Sequence, residues 1–130
     1  MNQFRYTILY VKDVTATISF YEQAFGFERT FISPDNDYGE LNTGSTTLSF
    51  ACLELAHSNL RNGFLENDLA NKPFGMEIGI TTENVEHTLK LAIEAGATLV
   101  EDPKTKPWGQ VVAYVRDKDG FLIEICTPMG

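Results

Sequence analysis

The feature that most restricts this chain is that its second half repeats the pattern of its first. Phe4–Val11 is rich in β-branched and aromatic residues and reads as a strand. Asp13 then offers an N-cap side chain, and Val14, Ile18, Tyr21 and Phe25 recur at spacings of four, three and four before Gly26. That spacing predicts one apolar face of a helix. Three short strands are expected next, at Phe27–Ile32, Tyr38–Thr43 and Thr46–Ala51, with turn residues at 34–37 and 44–45 between them. The order then restarts. Met76–Thr82 reads as a strand and Asn84 as an N-cap, and Val85, Leu89, Ala92 and Gly96 each stand 71 positions after their first-half counterparts. The glycine that ends the second helix comes one residue early, so the two helices differ slightly in length. Strands are expected again at Thr98–Glu101, Gln110–Arg116 and Phe121–Thr127, the last two flanking the Asp119-Gly120 hairpin signal. The same elements in the same order point to duplication of one βαβββ unit, residues 4–51 and 75–127.

Residues 52–74 connect the halves, and Asn59–Leu69 within them is expected to form a short helix. A connection of this length inside a compact domain is usually functional or in contact with a partner. At 130 residues, 43% of them hydrophobic, the chain suits one domain with a sizeable core. A formal charge of −8 argues against nucleic acid or an anionic membrane surface as partner. No apolar run is long enough to span a bilayer, and the first residues lack the pattern of a signal peptide. Cys52 and Cys126 form no CxxC pair and fit a reducing compartment, so a cytoplasmic protein is expected.

Strand alternation assigns side chains to faces. Glu77 is a bare carboxylate and should turn away from the helix side that Ile78 and Ile80 suit, and Tyr6 follows by analogy. In the last strand Ile123 and Ile125 take the helix side, which puts Glu124 on the face of Glu77. The equivalent first-half strand turns Leu48 and Phe50 inward and Ser49 to the open face. Tyr10 shares the parity of Tyr6, and Trp108 lies in the rigid turn Lys106-Pro107-Trp108-Gly109. Rings with a few carboxylates suit a flat or cationic organic ligand. For Trp108, packing against the core or a partner subunit stands as the alternative. His57 and His87 are expected at the surface, away from these strands. The cysteines are expected to be small core residues, with Cys126 able to face the open side by alternation.

The opening Tyr6–Phe27, the stretch Pro107-Trp108-Gly109-Gln110 and the run Tyr114 to Glu124, which ends in a D-x-D-G-x-x-x-E pattern, resemble the vicinal oxygen chelate superfamily. This is the group of glyoxalases, bleomycin resistance proteins and extradiol dioxygenases. The resemblance covers essentially the whole chain. It implies an α+β fold, a single glyoxalase-like domain over 1–130 whose two modules form a curved, barrel-like cup with helices outside, and a homodimer. In metal-dependent relatives the first and last strands of each half supply the ligands, which here correspond to Tyr6, Ser49, Glu77 and Glu124. Two carboxylates, a phenol and a hydroxyl would hold only a weakly bound divalent metal, through Glu77 and Glu124, and are a poor set for Zn²⁺, Ni²⁺ or Fe²⁺. Arg5, Arg29, Arg61 and Arg116 form no evident cluster for the carboxylates of glutathione.

Two readings follow from the resemblance. The first is a protein without a catalytic metal that binds a small organic molecule through Tyr6, Tyr10, Ser49 and Trp108. The second is a glyoxalase-like lyase or isomerase in which Glu77 and Glu124 serve as catalytic carboxylates or metal ligands. The reduced ligand set, the aromatic rings and the acidic charge favour the first.

Overall fold

The computed structural model describes residues 1–129; the last residue of the expected 1–130 span lies outside them. In chain order the elements are β1 (Tyr6–Val11), α1 (Val14–Phe25), β2 (Glu28–Ile32), β3 (Tyr38–Asn42), β4 (Thr47–Cys52) and α2 (Leu53–Asn59). Then follow β5 (Ile78–Thr81), α3 (Val85–Ala95), β6 (Thr98–Thr105), β7 (Val111–Arg116) and β8 (Leu122–Cys126). Both βαβββ modules are present. Their contacts divide the chain between Glu66 and Asn67, inside the connection, with Gln23–Phe25 assigned to the second unit.

The first sheet has the order β1-β4-β3-β2 and the second β5-β8-β7-β6. In each, the outer pair is parallel (β1 with β4, β5 with β8) and the remaining pairs are antiparallel. The local signals for the helices act as read. Asp13 caps α1 by accepting from Ala16 N at 3.1 Å, and Gly26 ends it in the left-handed conformation at φ 72°. Asn84 accepts from His87 N at 3.0 Å, and Gly96 ends α3 at φ 116°. The helices run to 12 and 11 residues, the difference that the early glycine implies.

In the first module the buried set is Leu9 and Val11 of β1, Leu41 of β3, Leu48 and Phe50 of β4, and Val14, Ile18 and Tyr21 of α1. Tyr21 and Phe50 meet at 5.3 Å between ring centroids. Gly39 allows the helix to come this close: a Cβ there would stand 2.5 Å from Ile18 Cδ1 and 3.1 Å from Val14 Cγ1. In the second module Val85 and Ala92 of α3, Ala113 and Val115 of β7, and Ile123 and Ile125 of β8 are buried. In β1 and β3 alternate residues face the core, as period-two patterning requires.

Three expectations need correction. The connection does hold a helix, but it is α2 at Leu53–Asn59, not Asn59–Leu69. Cys52 caps it, its sulfur accepting from Leu55 N at 3.4 Å. Arg61-Asn62-Gly63 then form a turn in which Gly63 takes φ 72° and donates to Leu60 O, a conformation that no helix interior accepts. Second, β5 begins at Ile78, so Glu77 stands just before the strand rather than within it. Third, β6 continues to Thr105, past Pro103, with two shifts of register against β7. An edge strand tolerates this because one side of its backbone has no strand to pair with. The other strand ends differ by a residue or two.

Candidate functional site

On the first module, Tyr6, Ile8 and Tyr10 point to the face opposite the core, with Tyr6 47% exposed while Leu9 is at 2%. Register carries that face across the sheet. Ile8 stands opposite Ser49, and Ser49 opposite Glu40; Tyr10 stands opposite Ala51, and Ala51 opposite Tyr38. Ser49 is thus on the open face as expected, yet it is fully buried, and its Oγ has no hydrogen bond among the described residues. The Tyr38 phenol donates to Glu40 Oε2 at 2.7 Å. Burial pushes the Tyr38 phenol up from its ordinary value, and the neighbouring Glu40 carboxylate adds to this. The nearby Ser49 hydroxyl works in the opposite sense, although its contact with the phenol lacks the geometry of a hydrogen bond. Tyr10 meets Phe64 of the connection edge-on at 4.7 Å, and Phe64 stacks on His57 at 4.2 Å. His57 also pairs with Glu66 at 3.1 Å.

On the second module the corresponding register is Gly79, Glu124, Tyr114. Both oxygens of Glu124 accept hydrogen bonds from neighbours. Tyr114 donates its phenol to Oε1 at 3.1 Å, and the Cys126 thiol points at Oε2 at 3.5 Å. Burial pushes the Tyr114 phenol to about 12, with Glu124 as acceptor and negative charge adding to it and Glu77 acting in the same sense. Burial likewise raises the Cys126 thiol, again helped by Glu124 and then by Glu77. The fold therefore brings Glu77 and Glu124 around one phenol and one thiol, and both of these keep their protons at neutral pH. Neither is a ready base or nucleophile. The ion pairs Arg29–Glu22, His57–Glu66 and Lys104–Glu101 involve neither carboxylate.

Trp108 lies elsewhere on this module. It is 64% exposed in the turn between β6 and β7, where its Nε1 donates to Gln110 Oε1 at 2.9 Å. Gln110 in turn donates to Thr127 O at 2.8 Å. The indole borders a cavity of about 390 Å³ with Gly109, Gln110, Thr127, Pro128 and Met129. Glu77, Glu124 and Tyr114 are not among its lining residues.

The D-x-D-G turn has a structural occupation. Asp117 Oδ1 accepts from Asp119 N at 3.0 Å and Phe121 N at 2.9 Å. Buried Arg116 donates to Gly120 O, Asn71 O and Asp68 O at 2.8, 2.8 and 2.9 Å, clasping the connection to the turn. Arg29 is taken by Glu22 at 2.9 Å. His87 sits exposed on α3. Among the described residues no group of three or more His, Cys, Asp or Glu side chains is arranged to hold a metal ion. No helix is long and apolar enough to cross a membrane.

Sequence reasoning passed over Tyr38, Glu40 and Tyr114. Their signal was present: within β3 and β7 they have the parity opposite to the core residues Leu41, Ala113 and Val115. That parity becomes informative only once the register of each strand with its neighbour is known.

The model of the Glyoxalase/Bleomycin resistance protein/Dioxygenase superfamily matches residues 3–125. A putative lactoylglutathione lyase of Brassica oleracea var. gemmifera and a lactoylglutathione lyase of Arabidopsis thaliana are each 28% identical over 128 residues. That stretch is 95% of this chain but 43% of either relative, so the chain spans less than half their length. Among solved structures, a glyoxalase-related enzyme from Fulvimarina pelagi superposes with a TM-score of 0.81 at 19% identity, covering 100% of this chain and 94% of that one. A glyoxalase/bleomycin resistance protein/dioxygenase family enzyme from Burkholderia phytofirmans PsJN gives 0.78 at 26% identity, covering 95% and 97%.

Proposed function

The chain belongs to the Glyoxalase/Bleomycin resistance protein/Dioxygenase superfamily, and from that premise we propose that it binds a small cationic organic molecule without using a catalytic metal. The observation that carries this reading is the state of Glu124. Both of its oxygens already accept from donors that hold their protons, Tyr114 and Cys126. A transition metal at Glu124 would have to share the carboxylate with those donors. The other inherited positions offer it only the Glu77 carboxylate and the neutral oxygens of Tyr6 and Ser49, a set short of the nitrogen, sulfur or carboxylate donors that such ions take. The donor set does not fit a catalytic Zn²⁺, Ni²⁺ or Fe²⁺.

What Glu77 and Glu124 offer instead is negative charge beside a ring, which attracts a cation through the carboxylates and the aromatic face together. On the first module, Tyr6 and Tyr10 are assigned as aromatic contacts and Ser49 as a hydroxyl contact. Trp108 is assigned to a separate contact, since other residues line its cavity. The net charge of −8 favours the approach of a basic ligand.

The second reading is a divalent-metal-dependent lyase or isomerase with Glu77 and Glu124 as catalytic groups. It is supported by the names of the plant relatives and by the convergence of the two carboxylates on Tyr114. Metal analysis of protein purified without chelator, paired with calorimetric titration by metal-free bleomycin, separates the two. Binding-protein behaviour is saturable bleomycin binding that Glu124→Gln weakens about tenfold, the loss of one charged hydrogen-bond acceptor. Stoichiometric Ni, Zn, Mn or Fe that disappears in Glu124→Gln would establish the lyase reading and overturn this one.

A further inference from the structure

Ser49 on β4 of the first module carries no charge, yet a carboxylate is only one strand away. Glu40 is the antiparallel partner of Ser49, so the two side chains leave the same face as direct cross-strand neighbours. Glu40 Oε2 is occupied by the Tyr38 phenol, while Oε1 has no hydrogen bond among the described residues. Ser49 Oγ is enclosed, at 0% exposure, and is equally without a partner. A buried hydroxyl with nothing to bond is destabilising, and one that persists asks for an occupant the folded chain does not itself supply.

We propose that Glu40, Ser49 and Tyr38 form a binding subsite for a primary ammonium group. Three acceptors share this face of the sheet: the free carboxylate oxygen of Glu40, the Ser49 hydroxyl oxygen and the phenol oxygen of Tyr38, whose own proton is committed to Glu40. An ammonium has three N–H donors and no acceptor, which matches that set, and its charge complements Glu40. An anion is repelled, and a neutral alcohol leaves the charge uncompensated. A quaternary ammonium has no donor for Ser49. The inference stands on the first module alone and does not depend on how Glu77 and Glu124 are used.

Titration of the ¹⁵N-labelled full chain with n-butylammonium chloride, followed residue by residue by NMR, tests it. Saturable shifts at residues 38–41 and 48–50 are expected, with n-butanol and tetramethylammonium giving none. Glu40→Gln, a near-isosteric change, should weaken binding by about tenfold or more, and Ser49→Ala by several-fold. Thermal melts of both variants verify that they fold. Nα-acetyl-lysinamide as a second probe separates a free amine from a lysine side chain as the source of the ammonium. Absence of saturation, or equal response to butanol, would mean that Ser49 is satisfied by water and would overturn the subsite. So would shifts confined to the neighbourhood of Tyr114 and Glu124, an outcome that leaves the function proposed above intact.

Discussion

Replacing Gly120 by alanine tests the idea that the D-x-D-G turn serves to hold the connection in place. Gly120 has φ 94°, and a Cβ on it would stand 2.8 Å from the Asp68 carbonyl carbon and 2.8 Å from Arg116 Nη2. Forcing a side chain into left-handed backbone costs about 1–2 kcal/mol. The contact with Asp68 is with backbone and cannot be relieved by a rotamer change. Either the connection or the guanidinium must move, breaking one or two of the Arg116 bonds at 2.8–2.9 Å. Each bond to a charged donor contributes about 1.5–3 kcal/mol, so the whole change costs about 2.5–8 kcal/mol. That is a large share of the roughly 5–15 kcal/mol that holds a domain folded.

Gly109 supplies an internal control. Its φ is 95°, yet a Cβ there would meet nothing within 4 Å. Gly109→Ala should therefore show the backbone cost alone. Equilibrium urea unfolding of the two variants should differ by about 1.5–6 kcal/mol, with Gly120→Ala the weaker. In an Arg116→Met background the further cost of Gly120→Ala should shrink, since the clash with the guanidinium is gone. Equal destabilisation by the two glycine substitutions would refute the clasp.

Three other outcomes are expected. Ultraviolet titration should show Tyr114 ionising only at about 12, well after ordinary tyrosines at about 10, and Glu124→Gln should bring it part of the way down. Because the folded chain holds this proton more tightly than the unfolded chain, the associated stability is present below about pH 10 and is lost as pH rises through about 12. Cys126 should react with iodoacetamide more slowly than an ordinary thiol at mildly alkaline pH, since burial and Glu124 both oppose the thiolate; rapid modification of the folded chain would contradict that assignment. Gly39→Ala should cost about 1–3 kcal/mol by driving a methyl into Ile18, and Ile18→Val should recover part of it in a thermal melt.

The readings that held were those whose physics is local. Helix caps at Asp13 and Asn84, left-handed glycines at 26 and 96, and the alternation that buries Leu9, Val11, Ile123 and Ile125 all depend on residues within a few positions of one another. Repetition of the caps 71 residues apart and of the glycines 70 apart was enough to establish two βαβββ modules. Propensity in the connection was ambiguous, and the helix begins six residues earlier because Cys52 provides a cap and Gly63 a turn.

Tertiary structure decided the partners. Alternation could place Glu124 and Cys126 on the open face, two residues apart on one strand, but only the pairing of β7 with β8 sets Tyr114 against the carboxylate. The pairing of β3 with β4 likewise sets Glu40 beside Ser49, nine residues further along the chain. Arg116, one of four arginines with no evident role in the sequence, became the clasp on a segment more than forty residues away. Periodicity states which way a side chain points, since that follows from backbone geometry; what it meets there depends on register and chain closure, which no single strand carries.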